Sequence, residues 1–525
     1  MDTENRGIRL LKKGKKGLLR SLFSRIGIVT VLIWIEIFMM ISMVVWLSDY
    51  YPEYAGLTTL FTVVMVIYLI NANMNPSAKI TWLILIMLFP LLGAAFLWYT
   101  KSNIGHRALK KRVEDVIKAT DSFINQDETV LESMRENSPE TVALATYVNR
   151  SGCYPCYNNT SAKYFKSGEE KFEELLVQLK EAKHFIFLEY FILDEGVMWG
   201  QVLEILSQKV DEGVEVRVMY DGTCEYTTLP TDYTQRLAKL GIKSKVFAPA
   251  KPFVSTHYNY RDHRKILVID GHTAFTGGIN LADEYINKHS RFGHWKDTAV
   301  MLKGDAVKSF TLMFLQMWSV DTRNADFEEF KKYLEYDTFS KESRGYVIPY
   351  GDCPLDDDRL GERVYMDILN RAHKYVHIMT PYLILDGEME TAIKFAAERG
   401  VEVSLILPGI PDKKNPYALA KTHYKSLLES GVNIYEYTPG FVHAKVFVSD
   451  DSSAVVGTIN LDYRSLYHHF ECATYLSGVE CIEDIENDFT ETLKKCKKVT
   501  FESIKEEKLL LKIQGFLLKV IAPLL

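Results

Sequence analysis

Long apolar runs dominate the first hundred residues. Residues 26–46, 55–70 and 80–99 carry no charged side chain apart from Glu36. Because a helix rises 1.5 Å per residue, a run of about 20 residues spans a hydrocarbon core of about 30 Å. The pattern predicts a membrane domain over residues 26–100 with two or three transmembrane helices. It indicates a multi-pass protein of the cell (plasma) membrane.

Basic residues flank this apolar region. Residues 1–25 hold eight Lys and Arg side chains, whereas residues 47–54 hold none. Positive charge is retained on the cytoplasmic side, so residues 1–25 are predicted to be a cytoplasmic tail. Three full spans would place the remainder of the chain outside, but the basic residues between Lys101 and Arg112 favour the cytoplasmic side. Both orientations stay open.

From about Tyr147 the pattern changes to alternating apolar strands and amphipathic helices, and it occurs twice. Four pairs of segments recur in the same order. They are FIFLEYFILD (185–194) and HIMTPYLILD (377–386), GVEVRVM (213–219) and GVEVSLI (400–406), DHRKILVID (262–270) and VHAKVFVSD (442–450), and TGGINL (276–281) and VGTINL (456–461). We predict an α/β fold of two tandem halves, residues 147–320 and 345–525, related by a pseudo-twofold axis. Strands alternating with helices favour mostly parallel pairing within each half.

Composition narrows the possible partners. The formal net charge of -6 argues against a nucleic-acid partner, which would need a basic face. Seven scattered cysteines do not suggest a disulfide framework, and reduced thiols are expected. Residues 501–525 form an amphipathic segment rich in Leu and Lys. This segment could lie on a bilayer or cap the second half, and capping is the favoured interpretation.

Each half contains one His-x-Lys-x4-Asp motif. Side chains at positions i and i+2 of a strand project from the same face, so the His and Lys of each motif form a polar pair. An Asn follows each motif at the same spacing and offers an amide donor to a phosphoryl oxygen. The candidate site residues are His263, Lys265, Asp270 and Asn280 in the first half, and His443, Lys445, Asp450 and Asn460 in the second half.

Paired histidines suit in-line displacement at a phosphodiester. The attacking group and the group that protonates the leaving oxygen must stand on opposite sides of the phosphate. An imidazole pKa near 6.5 makes the neutral nucleophile and the protonated acid both accessible near neutrality. Two lysines and two asparagines can hold the non-bridging oxygens, so no metal and no cofactor is required.

The two motifs resemble the HKD motif of the phospholipase D superfamily. The apolar hairpin around Asn75-Pro76, the segment GVNIYEYTPGFVHAK (431–445) and the run NLDYRS (460–465) further resemble bacterial cardiolipin synthases. The resemblance implies two phospholipase D-like halves, each built on a mixed sheet, that transfer a phosphatidyl group from one phosphatidylglycerol to another and release glycerol. The implied partners are phosphatidylglycerol and the lipid bilayer. A hydrolytic phospholipase D or membrane nuclease is the alternative within the enzyme class, and an inactive scaffold is the alternative outside it.

The resemblance also implies roles for individual residues. His263 is expected to form the phosphohistidine and His443 to act as general acid and then base, although the two are nearly symmetric and could be reversed. Asp270 and Asp450 are expected to make structural hydrogen bonds within each motif. Glu471 and Asp297 look like the acids that orient the histidines, reaching across the axis.

Overall fold

The computed structural model describes residues 51–101, 104–249, 260–322, 325–335, 343–356 and 358–524, together with positions 38, 41 and 42. These residues belong to two compact units. The larger unit is Ala108–Lys519, and the smaller unit contains the residues before Ala108 and those from Val520 onward. The predicted run 26–46 lies almost entirely outside the described residues.

Within residues 51–101 the smaller unit forms three consecutive helices, α1 (Tyr51–Asn71), α2 (Pro76–Leu88) and α3 (Pro90–Lys101). Helix α2 begins with proline at its first position and with Asn75 as N-cap, whose side chain accepts a hydrogen bond from the Ser77 amide. Four buried side chains form the core of this unit, with partly buried neighbours around them. They are Leu69, Trp82, Ile86 and Leu97.

The run 80–99 was predicted as one helix, and this prediction is wrong. Helix α2 ends at Leu88 and α3 begins at Pro90, with Phe89 between them at φ -136° and ψ 79°. A proline ring disfavours the helical conformation of the residue before it, so the break is local and steric. Among the helices of the described ranges, none is both long and apolar enough to cross a membrane.

The described residues of the first half of the larger unit form nine strands. They are β1 (Thr160–Phe165), β2 (Phe185–Tyr190), β3 (Glu215–Asp221), β4 (Lys243–Phe247), β5 (Arg261–Asp262), β6 (Lys265–Ile269), β7 (Thr273–Gly277), β8 (His294–Lys296) and β9 (Ala299–Gly304). Seven of them form one sheet in the order β1-β9-β7-β6-β2-β3-β4. Strands β5 and β8 lie outside this sheet.

The second half repeats this arrangement. Its strands are β10 (Tyr346–Asp352), β11 (Tyr375–Met379), β12 (Glu402–Pro408), β13 (Asn433–Tyr437), β14 (Gly440–Val442), β15 (Val446–Ser449), β16 (Ser453–Gly457), β17 (His469–Ser477) and β18 (Cys496–Lys498). The sheet order is β10-β17-β16-β15-β11-β12-β13-β18. Apart from the edge strand β18, each strand of this sheet has a counterpart in the first sheet. The duplication seen in the sequence is therefore a duplication of topology.

Helices connect and cover the strands. They are α4 (Ile104–Thr120), α5 (Glu128–Asn137), α6 (Pro139–Gly152), α7 (Gly168–Glu181), α8 (Val197–Asp211), α9 (Cys224–Thr227), α10 (Tyr233–Ala238), α11 (Val307–Ser319), α12 (Lys331–Leu334), α13 (Leu360–Arg371), α14 (Gly387–Glu398), α15 (Lys414–Glu429), α16 (Tyr463–Tyr467), α17 (Cys481–Leu493), α18 (Phe501–Glu506) and α19 (Leu509–Ile521). Short 3-10 turns occur at Asp283–Ile286, Phe327–Phe330 and Ala522–Leu524.

The sheets are mixed, as the resemblance implies, and are not the mostly parallel sheets that the strand pattern alone favoured. Parallel pairs within the first sheet are β2–β3 and β3–β4, whereas β2–β6, β6–β7, β7–β9 and β1–β9 are antiparallel. The motif strand β6 turns directly into β7 through Asp270 and Gly271, which have φ values of 50° and 69°. A tight turn of this kind leaves no room for a crossover helix, so the next strand must run antiparallel.

One central core joins the two sheets. It combines Phe187 and Val268 of the first sheet with Val448 of the second, together with Phe314 on α11 and Ile485 on α17. Burial of apolar side chains is the main favourable term in folding, so the shared core holds the halves together as one body.

Each sheet also has an outer core beneath its own helices. In the first half Trp199 on α8 packs with Leu175 on α7, and in the second half Val364 on α13 packs with Ile393 on α14. Helix α6 contributes Leu144 to the second of these cores. A segment that overlaps the start of the predicted first half therefore packs against the second.

The two motif aspartates anchor the turn after the motif strand. Asp270 accepts hydrogen bonds from the backbone amides of Lys183, His184 and Phe185, at 2.7 to 2.8 Å. Asp450 accepts the equivalent three from residues 373–375, at 2.7 to 2.9 Å. Each carboxylate thus holds the start of the neighbouring strand, β2 or β11, in register.

We expect Asp270→Asn to destabilise the fold by about 2–3 kcal/mol, because a neutral amide cannot accept all three backbone bonds and leaves buried donors unsatisfied. Thermal unfolding measures the loss. Asp211→Asn on the exposed end of α8 is the control and should stay within about 0.5 kcal/mol. Equal stability of the two variants would contradict the anchoring role.

Candidate active site

The two halves exchange short strands around the motif histidines. Strand β5, just before His263, pairs with the start of β17 in the second half, and the His263 amide donates to the Phe470 carbonyl at 2.9 Å. Strand β14, just before His443, pairs with β8 in the first half, and the His443 amide donates to the Lys296 carbonyl at 2.7 Å. The backbone of each histidine is therefore held by the opposite half.

This exchange brings each histidine to an acid from the other half. His263 Nδ1 lies 2.9 Å from both carboxylate oxygens of Glu471, and His443 Nδ1 lies 2.7 Å from Asp297 Oδ2. Glu471 and Asp297 are fully buried. An ionised carboxylate accepts a hydrogen bond from the Nδ1–H group. It therefore favours the tautomer in which Nε2 carries the free lone pair.

Burial dominates the protonation of both histidines. It lowers the pKa of His263 well below the usual value, with Glu471 opposing and Lys265 adding to the effect. Burial likewise lowers the pKa of His443, with Lys445 and Lys265 adding to it. A neutral imidazole is thereby favoured, which is the form that can attack phosphorus.

The two acids differ in their environments. Burial tends to raise the pKa of Glu471, but the charge interaction and hydrogen bond with His263 outweigh it and lower that pKa below its usual range. Burial raises the pKa of Asp297 to about 7, although Lys445, the Thr298 amide and Lys265 act to lower it. The His263 pair thus keeps an ionised acid, whereas the His443 pair can hold a proton near neutrality.

A difference between the repeated motifs accompanies this asymmetry. The Thr458 hydroxyl donates to Glu471 Oε2, which favours the charged carboxylate. The equivalent position in the first half is Gly278, where a Cβ atom would lie 2.1 Å from Asp297 Oδ1. Gly278 therefore gives Asp297 the space to reach His443 and offers it no hydroxyl.

The two motif lysines complete the charged centre. Lys265 Nζ donates to the His263 carbonyl and Lys445 Nζ to the His443 carbonyl. Burial lowers the pKa of Lys265 to about 8 and that of Lys445 to about 7, while Glu471 and Asp297 act to raise both. Because each ammonium interacts with both acids, the structure brings together lysines and acids from both halves.

The two motif asparagines have unequal surroundings. Asn280 accepts a hydrogen bond from the Ile192 amide at 3.0 Å and donates to the Tyr285 hydroxyl at 2.7 Å. The Oδ1 atom of buried Asn460 has no hydrogen-bond partner among the described residues. Asn280 therefore links the loops beside His443, whereas the side-chain oxygen of Asn460 remains an unused hydrogen-bond acceptor within the described structure.

The structure does not bring the motif aspartates to this centre. Asp270 and Asp450 follow the far ends of β6 and β15, whereas the histidines precede the near ends of these strands. Their carboxylates are occupied by the backbone amides already described. The spacing of seven residues between His and Asp therefore reflects the length of the strand between them. It does not indicate that the two side chains are in contact.

His469 is a site residue that sequence reasoning left without a role. Its ring lies 5.2 Å from the His263 ring, and its Nδ1 is 3.6 Å from Glu471 Oε1, outside hydrogen-bonding distance. Neither ring nitrogen has a hydrogen-bond partner within the described part of the chain, although the side chain is buried. The available signal was its position two residues before Glu471, on the same face of β17.

Two groups of side chains could hold a metal ion. His263, His469 and Glu471 place one potential ligand atom each within 4.8 Å of one another, and so do Glu362, Asp386 and Glu388. In the second group Arg359 Nη1 already lies 2.8 Å from Glu362 and 3.1 Å from Glu388. A cationic side chain thus occupies the position that an ion would take there.

Aromatic rings line the two histidines. Trp295, Tyr285 and Phe441 have ring centroids 5.3, 5.5 and 5.9 Å from that of His443. Phe191 lies 4.8 Å from His263 and 5.4 Å from Lys265 Nζ. These rings limit the access of water to the charged centre and strengthen its electrostatic interactions.

Comparison with known proteins agrees with this arrangement. The family model described as "Cardiolipin synthase, PLD-like domain" matches residues 175–318 and 365–493, one match in each half. An uncharacterised protein of Streptococcus mutans is 59% identical, covering 88% of this chain and 99% of its own. A cardiolipin synthase of Halalkalibacterium halodurans is 30% identical, covering 90% of this chain and 94% of its own.

A further relative and a solved structure extend the comparison. Cardiolipin synthase 2 of Bacillus anthracis is 32% identical over 86% of this chain and 88% of its own. The crystal structure of phosphatidylserine synthase from Haemophilus influenzae superposes with a TM-score of 0.56 at 15% identity, covering 73% of this chain and 98% of that one, and it shows a shared fold. The duplicated sheets, the crossed histidine–acid pairs and the family match agree, and the chain belongs to the cardiolipin synthase family of phosphatidyltransferases with phospholipase D-like domains.

Proposed function

We propose that this protein is a cardiolipin synthase that transfers a phosphatidyl group from one phosphatidylglycerol to the hydroxyl of another and releases glycerol. The observation that carries the proposal is the pair of buried histidines, each held by an acid of the opposite half. The His263 imidazole, with a free lone pair on Nε2, supplies the nucleophile that in-line displacement requires, and the His443 imidazole, with a proton on Nε2, supplies the proton donor.

The reaction has two displacements at one phosphorus. In the first, His263 Nε2 attacks, the bond from phosphorus to the glycerol oxygen breaks, and His443 gives its proton to that oxygen. In the second, His443 Nε2 takes the proton of the acceptor hydroxyl, whose oxygen attacks phosphorus and displaces His263. One phosphodiester replaces another, so the transfer needs no nucleotide. Lys265, Lys445 and the Asn280 and Asn460 amides hold the non-bridging oxygens in both steps.

The difference between the two acids supports His263 as the nucleophile. Ionised Glu471 stabilises the positive charge that the His263 ring acquires when it is phosphorylated. Asp297, with a pKa raised to about 7, lets the His443 pair hold the proton that the leaving glycerol receives. Two ionisable groups whose surroundings give them different pKa values can take different acid–base roles.

Attachment to the cell membrane is part of the proposal. The lipid substrate resides there, and α1 exposes a series of large apolar side chains that water solvates poorly. They are Leu57, Leu60, Val63, Val64, Ile67 and Ile70.

We expect membranes containing the protein to convert labelled phosphatidylglycerol to cardiolipin and glycerol, with neither nucleotide nor metal added. His263→Ala and His443→Ala should each lower the rate by about 10³-fold or more, because each removes a group that acts directly on the reacting atoms. His423→Gln is the control, since His423 is also buried beside an acid, Glu390 at 3.0 Å, but outside the site. Phosphatidic acid as the main product would support hydrolysis instead and refute the synthase proposal.

The nucleophile can be identified by trapping. With a phosphodiester whose leaving group needs no protonation, His443→Ala should form the phosphohistidine and resolve it slowly, because the base for the second step is missing. We expect acid-labile label on the peptide that contains His263, detected by mass spectrometry. Label on His443 in a His263→Ala protein, with none on His263 in the His443→Ala protein, would reverse the assignment.

Beside the effect of His263 on Glu471, the Thr458 hydroxyl should contribute to the acidic limit of activity. Because Glu471 has a lowered pKa, its carboxylate stays ionised as pH falls; without the hydroxyl it should take up a proton at a higher pH. We expect Thr458→Val to move the acidic limb of the pH–rate profile upward by about 1–2 pH units and Thr458→Ser to restore it. Thr276→Val is the control, since Val456 stands at the equivalent position of the second half. An unchanged limb in Thr458→Val would contradict this role.

A further inference from the structure

Helix α19 carries an apolar stripe that faces away from the larger unit. Five of its large apolar side chains within Leu509–Lys519 are 47–79% exposed: Leu509 at 72%, Leu510 at 79%, Ile513 at 47%, Phe516 at 67% and Leu517 at 68%. The two other leucines, Leu511 and Leu518, are partly buried. Their spacing of one, three, three and one residues places them along a single helical face. The prediction that this segment caps the second half does not account for the outward direction of this face.

The opposite face fixes this orientation. Gln514 Nε2 donates to Asn415 Oδ1 on α15 at 2.7 Å. Gly515 is buried against α15, where a Cβ atom would lie 2.4 Å from the Ala418 carbonyl oxygen. Gln514 and Gly515 therefore hold α19 to α15, with Leu511 and Leu518 partly buried, and this leaves the five side chains of the stripe outside. A helix docked to cap a core would bury the reverse face.

The charges around the stripe are positive. Lys508, Lys512 and Lys519 belong to this segment, and the sequence from residue 508 to residue 525 contains no Asp or Glu. Lys508 and Lys519 are exposed, and the Lys512 ammonium donates to the Lys505 carbonyl at 3.0 Å. Lysines beside an apolar helical face complement a layer of anionic headgroups above a hydrocarbon interior.

The length of α19 determines whether it can cross such a lipid layer. Thirteen residues extend about 20 Å, less than the hydrocarbon core of about 30 Å, so α19 is too short to cross a bilayer. A helix held along its polar face by α15 can instead lie in the plane of the surface, with its apolar side chains among the upper acyl chains.

We propose that α19 is an interfacial membrane-binding helix whose exposed stripe inserts into an anionic lipid surface. It would give the larger unit a contact with the bilayer. The inference stands on exposure, packing and charge, and it does not depend on which reaction the paired histidines perform.

The test uses the full chain with a single tryptophan added to the stripe, Phe516→Trp. The matched control is Phe395→Trp on α14, because Phe395 is 55% exposed on a different helix. Each protein is mixed with vesicles of phosphatidylcholine and phosphatidylserine, made with and without bromine on the acyl chains. Emission of the unsubstituted chain is subtracted, which leaves the signal of the added tryptophan.

We expect brominated chains to quench the tryptophan at position 516 about twofold and to leave that at position 395 unchanged. Omitting phosphatidylserine, or adding Lys508→Gln and Lys519→Gln together, should weaken the quenching. Equal quenching at the two positions would overturn the proposal. The proposal would also be overturned if the emission of the tryptophan at position 516 showed burial that increases with protein concentration in the absence of lipid. That result would identify a second copy of the chain as the partner that covers the stripe. Because the readout is emission, loss of phosphatidyl transfer does not affect it.

Discussion

The exchange of short parallel strands between the halves is the constraint on which this site depends. A buried histidine needs a partner for Nδ1, and here each half supplies the partner of the other. The same crossing recurs beside the site, where Lys296 of the first half lies 2.7 Å from Asp488 of the second and Tyr164 donates to the same carboxylate. Neither half could satisfy these buried polar groups alone, so the halves fold as one body.

Symmetry supplies the pair, and departures from symmetry distinguish its members. A duplicated fold offers two equivalent histidines, but the chemistry needs one attacking group and one proton donor. The aspartate of one pair is one methylene shorter than the glutamate of the other. The glycine beside Asp297 is replaced by a threonine beside Glu471. These small substitutions at equivalent positions accompany different pKa values of the two acids, raised for Asp297 and lowered for Glu471.

Much of this arrangement could be predicted from the sequence because repetition preserves order. The four recurring segments predicted two tandem halves, and the strand period predicted that His263 and Lys265 share a face. Strand direction could not be predicted so well, since it depends on whether a helix or a tight turn follows β6. The break between helices at Pro90 was missed because the hydropathy pattern carries no information on the backbone conformation that a proline imposes. The placing of Glu471 against His263 needed a family resemblance, since 208 positions separate them along the chain. The hydroxyl of Thr458 gave no periodic signal, and His469 could be placed only by its position two residues before Glu471 on the same strand face.

The aromatic rings around His443 have a consequence for the fate of a phosphohistidine. Such an intermediate partitions between two acceptors, and the ratio of the two rates decides which product accumulates. Water is small and abundant, whereas a lipid hydroxyl is scarce and must arrive in one orientation. In the proposed reaction Trp295, Tyr285 and Phe441 would slow attack by water more than attack by lipid, because they restrict solvent and offer the acyl chains of the acceptor an apolar surface. The commitment to synthesis over hydrolysis would then be a property of these rings, while the charged centre beneath them serves both outcomes equally well.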